Sequence, residues 1–170
     1  QITIVINALP IVSITPAGPF CENSSVQTLS ATPTGGTWGG VANTGGQIDP
    51  MMLGAGNHIV TYNYTDGNGC SDSDQINILI NAAPAVSILP AGPFCADDPA
   101  QTLTGTPTGG TWGGAANPGG QIDPNALGPG IHVVTYDFTD GNGCSESANE
   151  TIEIFALPTA NISGSGIICA

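Results

Sequence analysis

The chain has 170 residues with 13 Asp plus Glu, no Lys or Arg, and a net charge of −13. A polyanion without one cationic side chain cannot neutralise phosphates, so nucleic acid and anionic membrane surfaces are poor partners for it. The lack of Lys also excludes Lys-to-Asn isopeptide cross-links and leaves the 5 cysteines as the source of any covalent reinforcement. No apolar run approaches the length of a membrane span, so this segment is not expected to insert into a bilayer.

Self-similarity at a fixed period takes precedence over any domain count drawn from length. Ala8-Leu9-Pro10 returns as Ala82-Ala83-Pro84 and Ala156-Leu157-Pro158, and Cys21 returns as Cys95 and Cys169, all at a spacing of 74 residues. Between residues 8–81 and 82–155, 48 of the 74 aligned positions are identical, so both copies are expected to share one fold. Residues 1–7 match Gln75 to Asn81, the last strand of a repeat, and residues 156–170 open a third copy. The expected organisation is therefore an end strand (1–7), repeat 1 (8–81), repeat 2 (82–155) and the start of a third repeat (156–170), a window from a longer array.

Repeat 1 begins where Pro10 leads into an extended run, Ile11 to Ile14. A loop rich in turn formers, Pro16 to Cys21, precedes a second predicted strand at Val26 to Ser30. Next comes Thr32-Pro33-Thr34-Gly35-Gly36-Thr37-Trp38-Gly39-Gly40, repeated letter for letter from Thr106 to Gly114. Glycine on both sides of a lone Trp implies backbone passing close to the ring. Trp38 and Trp112 read as core aromatics with Tyr62 and Tyr136, the other reading being an exposed platform for a sugar ring. Gln47-Ile48-Asp49-Pro50 and its copy at 121–124 read as short edge strands closed by Pro. In His58 to Tyr64, Val60, Tyr62 and Tyr64 share one face, and Thr61 and Asn63 the other. Their copies Val134, Tyr136, Phe138, Thr135 and Asp137 respect the same period of two, so one face is core and the other wet. Thr65-Asp66-Gly67-Asn68-Gly69-Cys70, identical to 139–144, is a tight turn into the last strand, Gln75 to Asn81. Helical periodicity is absent throughout.

Six or seven short strands in about 74 residues, separated by turn signals, predict an all-β fold: tandem small immunoglobulin-like antiparallel β-sandwiches in a linear array. The succession of Pro-led first strand, Phe-Cys loop, Gly-Gly-Thr-Trp, Ile-Asp-Pro, Leu-Gly-x-Gly, Val-Thr-Tyr and Thr-Asp-Gly-Asn-Gly-Cys resembles the Ig-like repeats that form long arrays in secreted and surface proteins of Bacteroidetes. The likeness covers the whole chain. It implies an adhesin or gliding-related surface filament exported by the type IX system.

Five Cys in a low-charge β array point to an oxidising, extracytoplasmic setting. Two pairings stand open. One lies within repeats, Cys21 with Cys70 and Cys95 with Cys144. The other crosses the junction, Cys21 with Cys144, because the loop after a first strand and the turn before a last strand fall at opposite ends of a sandwich if those strands run the same way. Cys169 begins the third copy and has no partner of its own repeat in this chain.

Asp66, Asn68, Asp72 and Asp74 are spaced like oxygen donors for calcium, the one cofactor considered, and Asp140, Asn142 and Glu146 persist in repeat 2, where Ala148 replaces Asp74. The same letters equally suit an Asp-Gly and Asn-Gly turn. His58 and His132 read as strand-end residues. No nucleophile with a base, metal cluster or phosphate loop is apparent, so an enzyme is not expected. The expected function is structural and adhesive, an extracellular stalk or filament at a bacterial cell surface whose partners are its own copies along the chain and laterally in a fibre. The alternative is a multivalent module presenting Trp38 and Trp112, or the Asp-rich turns, to a glycan or surface.

Overall fold

A computed structural model describes residues 2–161 of the chain. They fall into two compact units, one holding residues 2–84 with Asp140–Cys144, the other residues 85–139 with 145–161. This partition departs from the repeat borders at residues 82–84, which fall in unit 1, and at one turn. The turn Asp140–Cys144 belongs by sequence to repeat 2 and by contacts to unit 1, because Cys144 is bonded to Cys21.

Unit 1 contains β1 (Ser13–Ile14), β2 (Phe20–Cys21), β3 (Gln27–Thr28), β4 (Ala31–Thr32), β5 (Thr37–Gly40), β6 (Gln47–Ile48), α1 (Pro50–Leu53), β7 (Gly56–Thr65) and β8 (Ser71–Asn81). The main sheet has the order β2-β8-β7-β5, and the pairs β1-β4 and β3-β6 form two small ladders. The hairpin β7–β8 runs in unbroken antiparallel register from Thr65↔Ser71 to Gly56↔Ile80. Its alternation of apolar and polar residues sends Val60, Tyr62, Ile78 and Ile80 inward, all nearly or wholly buried. Val12, Ile14, Leu29, Ala31 and Ile48, in or beside the small ladders, pack with Val60, Tyr62 and Ile78 into a sandwich core. Each such side chain contributes about 1.5–3 kcal/mol by leaving water.

Unit 2 repeats the plan with β9 (Ser87–Ile88), β10 (Phe94–Cys95), β11 (Gln101–Thr102), β12 (Gly105–Thr106), β13 (Thr111–Gly114), β14 (Gln121–Ile122), α2 (Pro124–Leu127), β15 (Gly130–Thr139) and β16 (Ser145–Phe155). The sheet order β10-β16-β15-β13 and the ladders β9-β12 and β11-β14 match those of unit 1 strand for strand. Both units are thus all-β sandwiches of immunoglobulin-like type.

Two local expectations need correction. The Ile-Asp-Pro stretch does not simply close an edge strand, because Asp49 and Asp123 cap one turn of helix in each repeat. The Asp49 carboxylate accepts from the Met51 amide, and Pro50 occupies the first helical position. The predicted second strand, Val26 to Ser30, is split into β3 and β4, which pair with different partners. Residues 2–7 form no strand here.

Candidate functional site

The feature that sets this chain apart is the joint between the Phe-Cys loop and the Asp-Gly-Asn-Gly-Cys turn. Cys21 and Cys144 are disulfide-bonded, with Cα atoms 5.5 Å apart and 123 residues between them in sequence. Cys144 is wholly buried. The within-repeat pairings expected as an alternative, Cys21 with Cys70 and Cys95 with Cys144, do not form, and the ladder registers explain why. β2 runs parallel to β8 with Cys21 opposite Asn81, the last residue of that strand, whereas Cys70 sits just before its first, Ser71. Eleven residues of strand at about 3.3 Å each separate the two by roughly 36 Å, against the roughly 6 Å that a disulfide spans. Repeat 2 has the same register, Cys95 opposite Phe155 and Cys144 before Ser145. Cys70 and Cys95 are unpaired thiols, half-buried and exposed respectively. Cys169 lies outside the described residues.

Each half of the joint is held by its own local bonds. On the loop side, the Ser24 amide donates to the Cys21 carbonyl (2.9 Å) and Ser24 Oγ accepts from the Cys21 amide (3.2 Å). On the turn side, the Asp140 amide donates to the Cys144 carbonyl (2.9 Å), and one oxygen of the Asp140 carboxylate accepts from the amides of Asn142 (2.9 Å) and Cys144 (2.9 Å). Asp66 makes the same set with Asn68 (2.8 Å) and Cys70 (2.9 Å).

These bonds, led by that from the amide of Cys70 or Cys144, hold both aspartates below the ordinary carboxylate range against an opposing desolvation effect. A depressed folded-state pKa means that the ionised form favours the fold. Its contribution is fully present above the ordinary aspartate value, about pH 4, and is lost as pH falls further, through the folded-state pKa. Replacing both residues (Asp66→Asn, Asp140→Asn) is therefore expected to flatten the fall of Tm below about pH 4. A fall as steep as in the unaltered chain would show that the turns contribute nothing to it.

The other carboxylates of the calcium reading are engaged elsewhere. Asp72 accepts from the Val12 amide (3.3 Å), and Asp74 from the amides of Ile14 (2.8 Å) and Gln75 (2.8 Å). They thus tie the outer flank of β1 to β8, satisfying donors that no strand reaches. In repeat 2, Ala148 has no side-chain acceptor, and Glu146 instead accepts from the Ser147 amide (3.1 Å). Among the described residues no group of three or more His, Cys, Asp or Glu side chains suits a metal ion. Asp74→Ala is expected to cost unit 1 about 1–2 kcal/mol, the scale of one partly solvated charge-assisted hydrogen bond. Denaturation followed at Trp38, in a chain carrying Trp112→Phe, measures it.

Trp38 and Trp112 occupy edge strands and are half-buried, each across the ladder from a buried tyrosine. The ring centroids of Trp38 and Tyr62 lie 4.6 Å apart at 55°, and those of Trp112 and Tyr136 lie 4.6 Å apart at 48°. The Tyr62 hydroxyl donates to the Pro33 carbonyl (2.8 Å) and accepts from the Gly36 amide (2.6 Å), which pins the Gly-Gly loop. Tyr136 does the same with Pro107 (2.6 Å) and Gly110 (2.7 Å). A shallow hollow of about 320 Å³ beside Trp38 is bordered by Leu29, Ser30, Thr34, Thr44 and Tyr62. His58 and His132 each place Nε2 about 3 Å from the carbonyl that ends the short helix, Gly54 (2.9 Å) and Gly128 (3.0 Å). No helix among the described residues is long and apolar enough to cross a membrane.

No protein-family model and no curated protein matches the chain. Solved structures similar to it include immunoglobulin domains 1–4 of Sidekick-1, at TM-score 0.33 and 12% identity, covering 85% of this chain and 48% of that one. Extracellular cadherin domains 1–5 of protocadherin gamma B2 align at TM-score 0.29 and 10% identity, covering 90% and 41%. Cadherin domains 1–4 of protocadherin gamma B7 align at 0.28 and 12%, covering 91% and 43%. The chain spans less than half the length of each of these structures.

Proposed function

We propose that this chain is a structural segment of an extracellular repeat protein, a stalk or filament at a bacterial cell surface in which consecutive sandwiches are fastened to each other covalently. The observation that carries this reading is the Cys21–Cys144 bond, which joins a loop of one repeat to a turn of the next. A free-standing small sandwich gains most from a bond between its own strands. A bond made to the following repeat instead secures the succession of repeats, and it would close a loop worth roughly 5 kcal/mol in the chain-entropy model. The short junction Asn81 to Pro84 and the near-identity of the copies suit the same role. An oxidising exterior is the compartment in which such a bond persists. The structural reading stands ahead of a sugar platform because the indoles of Trp38 and Trp112 pack against the two cores.

Labelling native cells with an antibody to residues 8–81, followed by electron microscopy, tests the proposal. Label along thin surface projections is the expected result. Label confined to the cytoplasm, or to dispersed compact particles, would overturn it.

A further inference from the structure

We propose that the outward face of the sheet β5-β7-β8 in unit 1 is a self-association surface, which meets the same face of a second copy of this chain about a two-fold axis. In the β7–β8 ladder the even-numbered residues point to the core, so the odd-numbered ones, with Thr37 and Gly39 of β5, make the outward face. All of them are uncharged: Thr, Ser, Asn, Gln and Gly surround two aliphatic side chains, Ile59 at 53% exposure and Leu79 at 44%. The carboxylates of repeat 1 lie elsewhere. Glu22 follows β2, Asp49 caps the short helix, Asp66 sits in the turn, and Asp72 and Asp74 reach from the inward side of β8 to β1.

In a chain of net charge −13, two copies can close on this face without bringing carboxylates together. A charge-depleted centre with neutral polar surroundings is also the composition of a protein interface. The equivalent face of unit 2 lacks that property, because Asp137 stands in place of Asn63 and Glu153 in place of Leu79. The polar groups of the unit 1 face are prepared for covering. Thr65 Oγ1 and Ser71 Oγ lie 2.8 Å apart, and Asn77 Nδ2 donates to Asn57 Oδ1 (3.3 Å), so these bonds persist when water leaves. Thr61 Oγ1 lies 2.7 Å from where a Cβ on Gly39 would stand, which keeps the middle of the face level. A shallow hollow of about 440 Å³ bordered by Asn57, Ile59, Gln75 and Asn77 has room for a projecting aliphatic side chain. A sugar is the poorer occupant, since Trp38, Tyr62 and Tyr64 all take inward registers and leave it no ring to stack on. From the strand lengths and spacing the face offers roughly 400 Å² per copy. The pair thus covers roughly 800 Å², short of the roughly 1,200 Å² at which stable complexes begin. The contact is therefore isologous, weak and revealed by concentration.

The inference goes beyond the covalent succession of repeats and does not depend on it. Its test is sedimentation of the full chain at pH 7, up to about 1 mM, with Cys70→Ser, Cys95→Ser and Cys169→Ser so that no thiol joins copies. The weight-average mass should rise with concentration toward that of a dimer. It should rise sooner in about 1 M salt than in about 0.1 M, because the like charges off the face are then screened. The double change Asn63→Asp with Leu79→Glu gives unit 1 the two residues that unit 2 already carries in the same fold, and should weaken association more than about 10-fold. Adding the same two charges off the face, by Ser25→Asp with Met52→Glu, should leave association as it was. A chain that stays monomeric throughout, or a dimer that loosens as salt rises, would overturn the proposal. So would a face variant that associates like the unaltered chain, or an off-face variant weakened as much as the face variant. The chain has no trypsin site, so a digest at acidic residues reports the Cys21–Cys144 peptide in the same samples. Its absence would count against the stalk reading alone, and a monomer that retains it would count against the face alone.

Discussion

Stretched between its two ends until every strand is pulled out, the oxidised chain is expected to extend about 430 Å less than the reduced chain. The Cys21–Cys144 bond takes the 123 residues between its ends out of the load path, and each residue of pulled chain adds about 3.5 Å. Force then reaches unit 1 only through the residues up to Cys21, and unit 2 only through β16 and the residues after it. The long hairpin β7–β8 and the strands β9 to β15 all lie inside the bypass. Full extension of the segments outside it amounts to roughly 160 Å, against roughly 600 Å for the whole reduced chain. Single-molecule stretching with and without a thiol reductant measures the difference. Equal lengths under the two conditions would mean that the bond does not carry the load.

Gly46→Ala is expected to cost unit 1 about 2–5 kcal/mol, a large share of the stability of a sandwich this size, for which the per-residue scale suggests roughly 4–11 kcal/mol. Gly46 is buried at φ +73°, and a Cβ there would lie 2.5 Å from Trp38 Nε1. The left-handed backbone costs a non-glycine residue about 1–2 kcal/mol, and forcing the indole aside adds an overpacking cost of about 1–3 kcal/mol. The ring cannot retreat easily, because Tyr62 lies against it and the Tyr62 hydroxyl is held between Pro33 and Gly36. Gly67→Ala is the control: nothing lies within 4 Å of its Cβ position, so the change should stay within about 0.5 kcal/mol. Gly120→Ala should repeat the loss in unit 2, where the corresponding distance to Trp112 Nε1 is also 2.5 Å. A Gly46→Ala chain that melts like the unaltered one would remove this account of the glycines around the tryptophan.

The parts of this fold that the sequence makes legible are those where a side-chain period and a backbone period coincide. Val60, Tyr62 and Tyr64 alternate with polar residues over a strand long enough to declare itself, and the β7–β8 hairpin is announced by its turn. The short ladders leave no such mark in the sequence. β1, β3, β4 and β6 are two residues each, too brief for any period, and their partners are set by the core between the sheets. Asp49-Pro50 is ambiguous because proline ends a strand and begins a helix equally well, and only the chain beyond it decides. The candidate site was legible as residues and not as bonds. Spacing identifies Cys21, Cys70, Cys95 and Cys144 as equivalent in pairs, but choosing among partners requires knowing that β2 meets β8 at its far end. Asp72 and Asp74 look like cation donors in one dimension, and their amide partners on Val12 and Ile14 lie 60 residues away in sequence.

The open flank of β8 also bears on solubility. β2 covers only Ile80 and Asn81, and along Ser71–Leu79 no strand forms a backbone ladder with that edge among the described residues, where only the Val12 and Ile14 amides reach the Asp72 and Asp74 carboxylates. An exposed strand edge is a template for pairing with another chain, and natural sheets commonly guard it with lysine. This protein has none, and acidic residues occupy the long strand instead: Asp72 and Asp74 on β8, and Glu146, Glu150 and Glu153 on its copy β16. Two such edges repel each other at neutral pH, and the repulsion fades as the medium approaches the isoelectric point near 4.1. Acidity thus acts as the gatekeeper for side-by-side aggregation, while the acidic strands keep neighbouring chains apart in neutral water.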